Sequence, residues 1–129
     1  MLAEQITLFS PIDMRKVAGE VIKELKNYRN LKIQQQNKQE QKEAAVIGLF
    51  PSLGNRDQQR INELKVKQID RALENCLDEL QLQIVQMKYL SPKQRTDTEI
   101  YMELGIKSDK FYILKKTAIV DIATALGMI

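Results

Sequence analysis

Apolar residues recur at intervals of three and four along nearly the whole chain, the period of an α-helix with one buried face. Met14, Val17, Val21, Leu25, Tyr28 and Leu31 make the first such stripe. Ser10 before Pro11 suits its start, because serine caps free backbone N–H groups and proline loses nothing in a first turn. The spacing predicts an amphipathic helix over residues 10–46. Its distal part, "QQQNKQEQKE", has no apolar face, and both a helix running into solvent and a linker fit that text. "GLFPSLGNRD" then closes any helix, since Gly48, Pro51 and Gly54 lie close together and Asn55 or Asp57 can cap the next one.

A second run, Ile61, Leu64, Ile69, Leu73, Cys76, Leu77 and Leu80, continues through Leu82, Val85, Met87 and Leu90 before "SPK" stops it. The apolar face shifts phase near Leu80 to Gln83, which predicts a tilt or break there. A short helix beginning at Thr96 to Thr98 places Ile100 and Leu104 on one face, and Gly105 supplies the positive φ of a sharp turn. Ile106 plugs the inside of that turn, Ser108 is expected to cap the next helix, and Phe111, Leu114, Ala118, Ile122 and Leu126 face inward. Tyr101 is bulky for its place and is expected to point outward. The expected fold is all-α, divided into an N-terminal amphipathic helix with polar extension over 1–48, a linker over 49–56 and a helix-turn-helix bundle over 57–129.

Composition narrows the chemistry. A chain of 129 residues with 43% hydrophobic and 29% charged residues is that of an ordinary folded domain. It contains no histidine, so the common general base and the Ser-His and Cys-His nucleophile pairs are absent. Cys76 stands alone, which leaves no disulfide partner within the chain and points to a small buried apolar residue. The glycines are scattered and form no phosphate loop, and the carboxylates alternate with Lys and Arg as on a solvated helix surface. No catalytic residues, metal or cofactor are expected. The N-terminus lacks the basic flank and apolar core of a signal peptide, and no stretch is long enough to span a membrane, so a cytoplasmic protein is expected.

Charge is informative where it is local. Residues 107–116 carry four lysines and one aspartate, an excess of +3 that equals the excess of the whole chain. Lys107, Ser108, Asp109, Tyr112, Ile113 and Lys116 stand at the offsets from which a recognition helix reaches the major groove, with Lys110 and Lys115 placed for phosphates. A helix packed only for structure has little reason to expose Tyr112 and Ile113, which can meet a thymine methyl or sugar surface.

The "IVQMKYL" helix, the "IYMELGIKSDKFY" turn and the "KKTAIVDIATAL" tail resemble region 4 of sigma-70-type factors and, more closely, ArpU/RinA-type phage regulators of late transcription. "PIDMRKVAGEVIKELKNYRNL" is also similar to the leading helix of ArpU-like proteins. This resemblance implies a small helical regulator of a phage or prophage that binds double-stranded promoter DNA and touches RNA polymerase. Lysines stand where sigma factors carry arginines in the recognition helix, which weakens the expectation of bidentate guanine reading. The N-terminal helix over residues 10–46 is expected either to pack back on the C-terminal part or to pair with a second copy in a homodimer. The alternative is a helical adaptor or assembly protein whose lysine-bearing face binds an acidic protein such as a polymerase subunit, or a phage packaging component.

Overall fold

The computed structural model describes residues 13–129, and every regular element among them is a helix. The expected start at Ser10 and Pro11 lies outside the described residues. Helix α1 runs Met14–Glu43, its first turn capped by Asp13, whose carboxylate accepts from the backbone of Arg15 and Lys16. The glutamine-rich stretch is therefore helical to Glu43 and solvated. Straight-chain Gln, Lys and Glu lose little rotamer freedom in a helix, so this segment needs no apolar face to continue one. It ends on Ala45, a non-glycine residue at φ 55°, where Val46 N–H reaches back to the Gln41 carbonyl.

Helix α2 covers Arg56–Asn75 and starts on the Asn55 side chain, which accepts from Gln58 N–H. Its break comes at Cys76 and Leu77, earlier than the phase shift suggested, because Asp78 and Gln81 form a reciprocal capping box that starts helix α3, Glu79–Val85. Gln81 itself is buried, and its amide donates to the Thr117 hydroxyl at 2.9 Å, tying this cap to the far end of the fold. The helix widens into a π-helical turn over Gln86–Leu90 before Ser91 leaves it.

Helix α4, Asp97–Leu104, is capped by Thr96, and helix α5 extends over Ser108–Ala125. Between them Gly105 sits at φ 69°, and Ile106 N–H bonds the Tyr101 carbonyl at 3.1 Å, the six-to-one closure of a helix that stops on a left-handed residue. The expected cap by Ser108 is not formed. Lys107 occupies the cap position instead, with Phe111 N–H bonded to its carbonyl, and no side chain caps the helix.

Two hydrophobic clusters hold these helices. In the larger, Val21, Leu25, Tyr28 and Leu31 of α1 meet Val66, Ile69 and Leu73 of α2 and Ala118, Ile119, Ile122 and Ala123 of α5. The stripe of α1 is thus covered within the chain, so the expected pairing of two chains through it does not fit. Residues on both sides of the connection 44–55 share this one core. Tyr28 reaches through it to hydrogen-bond Asp70, and burial together with that carboxylate drives the phenol far above its ordinary value. The smaller cluster packs Ile84, Ile100 and Phe111 with Leu80, Met87, Leu104, Ile106 and Leu114 around the α4–α5 corner.

Several stripe positions differ from expectation. Cys76, Ile61 and Leu64 are exposed, because the core contacts of α2 lie between Val66 and Leu73, and before them α2 runs beside the polar glutamine-rich part of α1. Tyr101, expected outward, packs in the corner cluster with its ring 5.7 Å from that of Phe111. No helix among the described residues is long and apolar enough to cross a membrane.

Candidate functional site

The first half of α5 is fixed from beneath by Phe111, which has no exposed surface and would contribute roughly 1.5–3 kcal/mol through burial alone. Its neighbours Tyr112 and Ile113 are turned outward, with Ile113 63% exposed. Lys107, Asp109, Lys110 and Lys116 are exposed as well, while Ser108 is only partly accessible. None of Lys107, Lys110 and Lys116 forms an ion pair with another described residue. The result is a helix end bearing three unneutralised ammonium groups around an exposed phenol and an exposed aliphatic side chain.

Lys115 does not belong to that group. Its ammonium turns inward to Asp97 Oδ2 at 2.9 Å and lies 5.5 Å from the Phe111 ring centroid and 5.3 Å from that of Tyr112. The expectation that it meets a phosphate gives way to a structural role, since i and i+4 spacing stacks it over Phe111 and faces it toward the start of α4. The other oxygen of Asp97, shielded from solvent, has the Lys88 ammonium 3.0 Å away without full hydrogen-bond alignment.

Asp97 is therefore a carboxylate bridging two cations, one from the π turn and one from α5. Burial pushes its carboxyl up, but the hydrogen bond from Lys115 and the close positive charges of Lys115 and Lys88 outweigh that and hold it below the ordinary value. Tyr89, one residue beyond Lys88, is pushed up to about 12 by burial and then by the Asp97 charge. Arg95 extends the network to Glu103 at 2.8 Å. This network helps set the angle of α5 against α4, and so the direction in which Tyr112 and Ile113 project.

Of the eight residues expected on the outward face, all but Lys115 lie on or beside the exposed side of α5, and Asp97 is not among those that spacing singles out. The signal was present as an acid one position after the cap Thr96, but such residues ordinarily serve the helix dipole alone. Among the described residues no group of three or more His, Cys, Asp or Glu side chains could hold a metal ion. No family model, curated protein or solved structure matches the chain.

Proposed function

We propose that the chain is a sequence-specific DNA-binding regulator of transcription, acting on phage or prophage late genes, and that α5 is its recognition helix. The observation that carries this reading is the outer side of α5, where unpaired Lys107, Lys110 and Lys116 surround exposed Tyr112 and Ile113. Phosphates attract the ammonium groups without regard to sequence, and the phenol and the aliphatic side chain are suited to base edges and thymine methyls. Helix α4 crosses the backbone in such an arrangement while the N-terminal residues of α5 enter the major groove. Asp97 and Lys115 position α5 without touching DNA.

A titration of labelled duplexes from the chain's own genomic neighbourhood, at several salt concentrations, tests the reading. Binding that weakens steeply with salt and prefers some duplexes over others supports it. Absence of binding at low salt sinks it.

A second reading has its own observation. In the connection between α1 and α2, Ile47 and Leu53 are 99% exposed and Phe50 is 75% exposed, an apolar surface suited to a protein partner. An adaptor that docks on an RNA polymerase subunit or a packaging component through this loop fits that surface. Capture of such a partner by wild type but not by Phe50→Asp, with no DNA binding, favours it.

A further inference from the structure

Helix α1 carries more positive charge than α5 does. Residues 15–32 contain six Lys and Arg against two Glu, an excess of +4. Lys65 neutralises Glu24 and Asp70 neutralises Lys32, so Arg15, Lys16, Lys23, Lys26 and Arg29 face a single acid of that segment, Glu20. Beside Lys26 and Arg29 lies a groove of ≈270 Å³ between α1 and the π turn, and no acid lines it. Its rim is built from Lys26, Asn27, Asn30, Lys88, Ser91 and Gln94. Lys23 stands one turn before Lys26 on the same side of α1, and Lys93 lies between the lining residues Pro92 and Gln94; both are exposed.

The groove is joined to the corner that presents α5. Arg29 Nη1 donates to the Ser91 carbonyl at 2.8 Å, which fixes α1 to the chain leaving the π turn. Lys88 donates to the Arg95 carbonyl at 3.0 Å and pairs with Asp97 at the first residue of α4. Contacts of 3.0, 2.9 and 5.3 Å then lead from Lys88 through Asp97 and Lys115 to the Tyr112 ring. The groove and the exposed end of α5 therefore hold a fixed relation, as two contacts on one rigid duplex require.

We infer that Lys23, Lys26 and Lys93 form a second contact with double-stranded DNA, a phosphate clamp on the backbone flanking the groove entered by α5. This rests on the reading of α5 as a recognition helix. Ammonium groups and side-chain amides around a groove free of carboxylates are the chemistry that protein–DNA interfaces use on phosphate oxygens. A docked acidic protein would also need an apolar anchor at the centre of its interface, and the one aromatic residue there, Tyr89, is buried. The clamp lengthens the footprint and adds affinity without adding preference among sequences.

The test uses the whole chain and a long mixed-sequence duplex. In the triple variant Lys23→Ala, Lys26→Ala, Lys93→Ala, the log–log salt slope should fall by about two to three, roughly 0.9 for each phosphate no longer neutralised. Preference among duplexes should stay as in wild type. All three side chains are exposed, so the variant should fold, and Lys26→Glu alone should weaken binding to every duplex alike. An unchanged slope in the triple variant, alongside a reduced slope in Lys107→Ala, Lys110→Ala, overturns the clamp and leaves the α5 reading intact. Failure of wild type to bind any duplex at low salt overturns both.

Discussion

Asp97 and Lys115 stand 2.9 Å apart across the α4–α5 corner, and the pair ties the first residue of α4 to α5 by charge beside the smaller apolar cluster. Both side chains are less than a quarter exposed. Removing one partner leaves the other partly desolvated, so Lys115→Ala should destabilise the fold by about 1–3 kcal/mol. Lys116→Ala, on the open side, should stay within about 0.5 kcal/mol of wild type. Denaturant melts of the two variants measure the contrast, and equal stability would remove the bridging role.

The same carboxylate predicts an acid response. Its pKa lies below the ordinary 3.8 in the folded chain, so its contribution is complete above that value and disappears as pH falls through the lower folded one. Asp97→Asn should therefore be less stable than wild type at neutral pH, and the difference should shrink below about pH 4. Tyr89 acts at the other end. With its pKa raised to about 12, its contribution is complete below the ordinary 10.0 and disappears as pH rises through 12, and Tyr89→Phe should flatten that alkaline decline.

Backbone strain separates two helix stops. Gly105 is at φ 69° with nothing within 4 Å of an added Cβ, so the cost of Gly105→Val comes from forcing a β-branched residue into the left-handed region. A decrease of more than about 1 kcal/mol is expected, with Gly105→Asn milder. Ala45 already bears such strain at φ 55°, and Ala45→Gly should raise stability by up to about 1 kcal/mol. Thermal melts read both, and a neutral Gly105→Val would exclude the turn geometry.

The placement of α1 gives a further measurement. Leu25 has no exposed surface and sits among residues of α2 and α5, so Leu25→Asp should unfold the chain instead of separating a dimer. Circular dichroism of the variant distinguishes the outcomes, since retained helicity would mean that the stripe is covered by something else. Exposed Cys76 should react with a thiol reagent in the native state as quickly as in denaturant.

On the outer side of α5, Tyr112 and Ile113 should govern choice among DNA sequences. Removing a base-reading side chain is expected to cost roughly 1–3 kcal/mol at its own base pair, while Lys107→Ala weakens all duplexes equally. Competition titrations against duplexes with single base changes separate the two kinds of effect.

Much of this architecture is legible from spacing. The stripe from Val21 to Leu31, the stop at Gly105 and the inward set Phe111, Ala118 and Ile122 all come from the helical period and one φ requirement. Where legibility fails, the cause is tertiary. Periodicity says which residues share a face but not which part of that face meets an apolar partner, which is why Ile61, Leu64 and Cys76 lie outside the core. Lys115 and Lys116 look alike in the chain, and only the position of Asp97, brought up by the turn, distinguishes the inward one from the outward one.

The π turn at Gln86–Leu90 continues a helix that supplies both clusters. Leu80, Ile84 and Met87 belong to the corner, whereas Leu82, Val85 and Tyr89 belong to the main core. A wider turn holds one residue more than an α-helix would, and each α-helical residue is worth about 100° of rotation. Deleting one residue there would restore a regular screw and swing everything after it by that angle. Tyr89 would leave its core, and Lys88 would release Asp97. The direction in which α5 points is therefore geared to the pitch of a helix two elements earlier in the chain.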